Sequence, residues 1–248
     1  MTTNLAPKST LAISFQEGVI HVTSLSLFRF AGIGARAWAF AQMGLARPAF
    51  ARLPGVGFWQ LCGTGTGEGF TPLPNTGVYT ALATWPSLEA ARETIETARI
   101  YRRYRAWAAE SWTLYMTTLS ARGVWHGAQP FEVAPPGPGP LAVLTRATLK
   151  PSKIARFWRR VPDISARIGS DPAVQFKIGM GERPLSNQIT FSIWPDAPSM
   201  AAFARRGPHA EAIRAVRDEG WFAEELYARF RIVDQTGTWD GKSPLQGP

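Results

Sequence analysis

Pro130-Phe131-Glu132-Val133-Ala134-Pro135-Pro136-Gly137-Pro138-Gly139-Pro140 divides the chain. Proline fixes φ and lacks an N–H, and its alternation with glycine supports neither helix nor ladder. Composition therefore marks residues 130–140 as a linker. The pattern before it restarts after it. On the N-terminal side, Val19 to Leu27 alternates and is β-branched, which predicts a strand. Phe30 to Leu45 predicts a helix, and Val56 to Thr64 and Val78 to Trp85 predict strands. Leu88 to about Trp107 predicts one long helix and Tyr115 to Leu119 a short closing strand. On the C-terminal side, Leu141 to Thr148 reads as a strand and Ser152 to Arg167 as a helix. Ala173 to Met180 and Gln188 to Ile193 read as strands, Met200 to Glu219 as a helix broken at Gly207-Pro208, and Arg229 to Asp234 as the last strand.

Two local marks recur at matching places. Thr84-Trp85-Pro86 returns as Ile193-Trp194-Pro195, and Trp107-Ala108-Ala109-Glu110 returns as Trp221-Phe222-Ala223-Glu224. Each half thus reads β-α-β-β-α-β, the ferredoxin-like unit. The expectation is an α+β chain with one such half at 19–129, the linker at 130–140 and a second half at 141–235. Each unit covers one face of its sheet with helices. Two copies can bury their bare faces by packing sheet to sheet, in the manner of a dimeric α/β barrel.

A chain of 248 residues, 45% hydrophobic and with ten Trp and fourteen Phe, can build a sizeable core or hold a large apolar ligand. The single cysteine, Cys62, excludes an intramolecular disulfide and a cysteine-cluster metal site. His21, His126 and His209 are far apart and lack zinc spacing. Met1 to Thr10 is polar and short, so no secretory leader is expected there. No window offers about eighteen uninterrupted apolar residues, so no spanning helix is expected. The net charge of +9 implies attraction to an anionic surface or partner. The expectation is a cytoplasmic protein that touches membrane peripherally.

Gly207 to Trp221 reads as a helix that starts at Pro208 and stops at Gly220. His209, Ala212, Ile213 and Val216 share its apolar face. The positive end of the helix dipole favours a neutral imidazole, the form that binds metals. A packed or capping histidine fits the same pattern. The matching position in the first half falls near Thr97, where no histidine stands. His21 reads as a strand residue and His126 as a loop residue.

Two other features carry competing readings. Gly63 to Gly69 is glycine-rich, but Phe70-Thr71-Pro72-Leu73-Pro74-Asn75 follows instead of a helix, so it reads as a hairpin loop and not a nucleotide cradle. Arg99, Arg102, Arg103 and Arg105 interleave with Tyr101, Tyr104 and Trp107, and Lys150 to Arg160 adds Phe157 and Trp158. Such runs can bind nucleic acid or lie at a membrane interface, or form a solvated helix face with its aromatics turned inward.

The run Lys177-Ile178-Gly179-Met180-Gly181-Glu182-Arg183-Pro184-Leu185, with Gln188-Ile189-Thr190-Phe191-Ser192-Ile193-Trp194, resembles the spheroidene monooxygenase family of carotenoid ketolases. So do Glu219-Gly220-Trp221-Phe222 and Gly55-Val56-Gly57-Phe58-Trp59-Gln60. The resemblance spans roughly Val19 to Trp239. It implies a haem-dependent enzyme that oxidises acyclic carotenoids at C2, through a hydroxyl to a ketone, with electrons from reduced ferredoxin. Haem enzymes with duplicated ferredoxin-like units commonly place the proximal histidine on a helix over the sheet, which points to His209 as the iron ligand of a haem-bearing C-terminal half. Arg183 and Lys177 are then candidates for the haem propionates. Arg183 can also donate to dioxygen, with Ser192, Gln188 and Thr190 lining the distal side. The partners implied are a carotenoid, reduced ferredoxin and a membrane surface, with no nucleic acid. The alternatives are a cofactor-free or haem-degrading monooxygenase on the same fold, and a basic module that binds membrane or nucleic acid without chemistry.

Overall fold

The computed structural model describes residues 20–67, 71–159, 173–205 and 219–245. The first four strands are β1 (Val22–Arg29), β2 (Trp59–Gly65), β3 (Pro74–Trp85) and β4 (Glu110–Gly123). The last four are β5 (Leu141–Leu149), β6 (Phe176–Gly181), β7 (Asn187–Trp194) and β8 (Phe222–Gly237). The helices are α1 (Ile33–Leu45), α2 (Arg47–Phe50), α3 (Leu88–Thr97), α4 (Arg99–Trp107), α5 (described over 154–159) and α6 (Ala197–Arg205). Neighbours run β1-β3-β2-β6-β7-β5-β8-β4 around a closed barrel, every pair antiparallel.

The expected α+β, barrel-like architecture takes the form of one closed eight-stranded antiparallel barrel. The bare faces do meet, but the sheets are also zipped at both edges. Gly63 and Thr64 of β2 pair with Gly181 and Met180 of β6, and β4 pairs with β8 from Trp112↔Gly237 to Gly123↔Leu226. An open edge would leave a row of unpaired N–H and C=O groups, and closure removes it. Glycine is required where β4 and β8 cross most tightly. Gly123 (φ 93) and Gly237 (φ 83) lie at opposite ends of the pair, and a Cβ on either would run into a carbonyl, of Glu225 or of Ser111.

Strand alternation sorts the side chains. Leu25, Leu82, Leu114, Leu144, Phe191 and Phe230 point into the barrel and are fully buried. Both mouths are plugged. At one, Trp125 packs on Phe58 (ring centroids 5.2 Å) and Phe131 on Phe230 (5.0 Å). Phe131 opens the Pro/Gly stretch at 130–140, which thus starts inside the core; Ala134 N–H also donates to Thr118 O at 2.8 Å. At the other, Trp239 and Leu245 join the core and the Arg29 guanidinium lies 4.2 Å from the Trp239 ring centroid.

Outside the first four strands, α1 to α4 bury Phe28, Phe50, Tyr101 and Tyr104 against the sheet. The predicted helix over 88–107 is two helices. Ala98 is extended (φ −63, ψ 132), and Arg105 caps the end of α3 by donating to Ile95 O (2.7 Å) and Glu96 O (2.8 Å). The break turns Tyr101 and Tyr104 into the core and leaves Arg102 and Arg103 in solvent. Outside the last four strands the described cluster is smaller: Leu141, Trp194 and Met200, with Phe203 against Trp194. His209 and its predicted helix lie outside the described residues. Among the described residues no helix is long and apolar enough to cross a membrane.

Candidate functional site

The outward face of β5, β6 and β7 differs from its counterpart in the first half. Large aromatics pack there; here the outward residues include the small Val143, Thr145, Gly179, Thr190 and Ser192, beside Leu141 and Trp194, on which Met200 and Phe203 pack. Lys177 sits directly opposite Ser192 across the β6–β7 ladder. Ser192 is 8% exposed, and its hydroxyl accepts from Trp194 Nε1 at 3.0 Å. Gln188, Thr190 and Ser192 form one outward row, because they alternate with the inward Ile189, Phe191 and Ile193. The structure thus brings Lys177 and Ser192 together. Arg183 is elsewhere, exposed on the turn between β6 and β7. Gln188, near that turn, and Ser192 are four residues apart, about 13 Å along the strand.

That turn walls a cleft of about 370 Å³ at the β2–β6 seam. Phe40 and Met43 of α1 form one side, and Trp158 of α5 with Pro184 and Leu185 the other. Trp158 Nε1 donates to Leu185 O at 3.0 Å, which ties α5 to the turn. The paired hydroxyls of Thr66 and Thr71 (2.6 Å) brace the loop between β2 and β3, and Gln188 lies where the cleft meets the outward row. The glycine run at Gly63 to Gly67 ends β2 and leads toward β3, as a hairpin loop should.

Behind the cleft is a charged cluster that the sequence reading missed. Arg146 points into the barrel with its side chain fully buried. Its guanidinium pairs with Glu224 through Nη1 and with Glu182 through Nε at 3.4 Å, and stands 5.5 Å from the Trp125 ring centroid. His126 Nε2 meets Glu182 Oε2 at 2.6 Å, and the His126 and Gly127 N–H groups donate to Glu224 at 2.9 and 3.0 Å. His126 holds a left-handed backbone (φ 53), as its loop position allows. Burial works against the charge on Glu224, but these two N–H groups and Arg146 outweigh it and hold the carboxyl below its usual range. The signal was available: in the inward register Ala142, Leu144, Arg146, Thr148, one residue is charged.

The fit of a haem can be judged from these residues. The small outward residues Gly179, Thr190 and Ser192, with Lys177 opposite Ser192, suit a flat apolar group with an anionic edge. The described residues offer iron no ready axial ligand. His126 is held by Glu182, and His21, just before β1, faces Glu132 at 3.4 Å. Burial pushes the Cys62 thiol far up, with Glu182 adding to it, so a thiolate is disfavoured. Among the described residues no group of three or more His, Cys, Asp or Glu could hold a metal.

No family model matches the chain. It is 51% identical over 229 residues to spheroidene monooxygenase of Rhodobacter capsulatus, covering 90% of this chain and 95% of that protein. It is 49% identical over 230 residues to spheroidene monooxygenase of Cereibacter sphaeroides, covering 91% of this chain and 71% of that one. Spheroidene monooxygenase of Rubrivivax gelatinosus is 32% identical over 210 residues, with 84% and 81% covered. Among solved structures, an aldoxime dehydratase superposes with a TM-score of 0.58 at 11% identity, covering 90% of this chain and 85% of that chain. At that identity the likeness speaks for the fold alone.

Proposed function

The chain belongs to the spheroidene monooxygenase family, and from that premise we propose that it is a haem-dependent monooxygenase that oxidises acyclic carotenoids at C2 to a ketone. The observation that carries this reading is the identity to the Rhodobacter capsulatus relative across nearly all of both chains. On the same reading the two halves are duplicated ferredoxin-like units. The matching strand orders β4-β1-β3-β2 and β8-β5-β7-β6 support that duplication.

Haem bound on the outward face of β5 to β7 would supply an iron that activates dioxygen for insertion into a C–H bond. His209 is the residue proposed to hold the iron; it stands in the stretch that the sequence predicts as a helix starting at Pro208, where a neutral imidazole would be favoured. Lys177 supplies a cation for the propionates, and Arg183 is the second candidate. Because Ser192 Oγ accepts from Trp194 Nε1, its own O–H remains available to donate toward the face. Each oxidation consumes one dioxygen, two electrons and two protons and releases one water. The first gives the alcohol, and the second gives a geminal diol that loses water to the ketone. Reduced ferredoxin is the proposed electron source, and the net charge of +9 attracts an acidic partner of this kind as well as an anionic membrane surface.

The test compares the parent protein with His209→Ala after haem loading. The parent should show a Soret band and convert an acyclic carotenoid to its ketone with dioxygen and reduced ferredoxin. His209→Ala should lose the native Soret spectrum and the turnover. A variant with unchanged spectrum and turnover would send the axial role to another residue.

A further inference from the structure

The cleft at the β2–β6 seam is open and its walls are largely apolar, beside a barrel whose interior carries a large buried core. Phe40 is 69% exposed and Leu185 43% exposed at its walls, large apolar side chains left to solvent. Glu182 and Arg183 are the charged residues along it. The Glu182 carboxylate is turned to Arg146 and His126, and Arg183 stands on the exposed turn. The walls are preformed, since Trp158 is tied to Leu185 O and Thr64 Oγ donates to Val78 O at 3.1 Å.

We propose that this cleft binds the terminal segment of the acyclic carotenoid and delivers it to the row Gln188, Thr190 and Ser192. The proposal rests on the carotenoid reading above and adds where the substrate sits. Its volume of about 370 Å³ is at the small end of ligand clefts, which run from about 300 to 1,000 Å³. A linear polyene therefore enters by one end, and the rest of the chain lies along the exposed apolar rim of Phe40 and Leu185. Entry by one end matches oxidation near the end of the chain. The occupant is uncharged along its length, which suits walls of Phe, Met, Trp, Pro and Leu. A second protein copy needs a broad surface, about 1,200–2,000 Å² in total, and a narrow concave cleft does not provide one. Gln188 carries the continuity: it lines the cleft and begins the row that ends opposite Lys177.

The experiment uses the full haem-loaded chain and an acyclic carotenoid in detergent micelles. Binding in a chiral cleft induces circular dichroism in the visible band of the polyene. Leu185→Asp and Phe40→Asp are the cleft variants; Leu185 holds φ 64, a backbone that aspartate tolerates. Leu45→Asp is the control, an exposed apolar residue of α1 outside the cleft. Each cleft variant should weaken the titrated signal about tenfold and raise KM by a similar factor, with kcat and the Soret band unchanged. Leu45→Asp should match the parent. Unchanged binding and KM in both cleft variants would overturn the proposal and leave the oxidation reading intact. A change only in sedimentation or vesicle binding would overturn it too, and would make the cleft a face for another copy or for lipid. A parent that shows the induced signal, lost in the cleft variants, yet never oxidises the carotenoid would support the cleft and overturn the function.

Discussion

Arg146 is the residue on which one mouth of the barrel depends. It is a buried cation held by two carboxylates, and the same carboxylates hold His126 and Gly127. Arg146→Met removes the cation but leaves Glu182 and Glu224 in place. Breaking a buried pair in this way costs about 3–5 kcal/mol, which urea unfolding should report as a fall in midpoint without a change in m. Glu224 gives the pH dependence. Its folded pKa lies below the ordinary carboxylate value, so its contribution is present above the unfolded pKa and is lost as pH falls through the folded one. Stability measured against pH below about 4.3 should therefore fall less steeply in Glu224→Gln than in the parent. Equal slopes would show that Glu224 does not titrate with folding. Neither role was read from the sequence, although Glu182 and Glu224 both stand in stretches that were singled out there. A charge in a surface turn or before a strand looks solvated until the barrel closes over it.

Among the elements, α3 shows local sequence and tertiary structure in agreement. Ser87 caps it by accepting from Ala90 N–H at 3.2 Å, with Glu89 in the first turn. Ser87→Ala should cost about 1 kcal/mol, read as a lower midpoint in thermal or urea unfolding. Most elements were legible because their periods are clean, as in β1 and β7. The expected limits were less secure. β8 covers Phe222–Gly237, whereas the expected strand began at Arg229. Leu226, Ala228, Phe230 and Ile232 already alternate inward, but Glu224, Glu225 and Tyr227 make the start look polar. A strand in a closed barrel can carry such residues, because one face meets solvent or helices and the mouth pairs its charges. The break at Ala98 was illegible for a different reason. Alanine favours helix, and the reach of Arg105 to Ile95 O and Glu96 O, which caps α3 there, comes from the following helix.

Taken as a whole molecule, the two halves share one interior. Leu25 and Leu114 from the first four strands and Phe191 and Phe230 from the last four belong to the same core cluster. Unfolding should therefore be a single cooperative transition, with far-UV and tryptophan signals coincident; two separated transitions would mean that the halves fold independently. The recurrence of Trp85-Pro86 and Trp194-Pro195 made the equal strand orders legible. Edge closure was not, because the β2–β6 seam rests on paired backbone around Gly63 and Gly181, which carries no side-chain pattern. In the proposed function this barrel uses haem to make a keto-carotenoid. The measurement that meets it most directly is ketone formed from an acyclic carotenoid by the haem-free chain and by the same chain after haem loading, each with dioxygen and reduced ferredoxin. On that function, product forms only after loading, in proportion to the haem bound. Product at the same rate from the haem-free chain would contradict it.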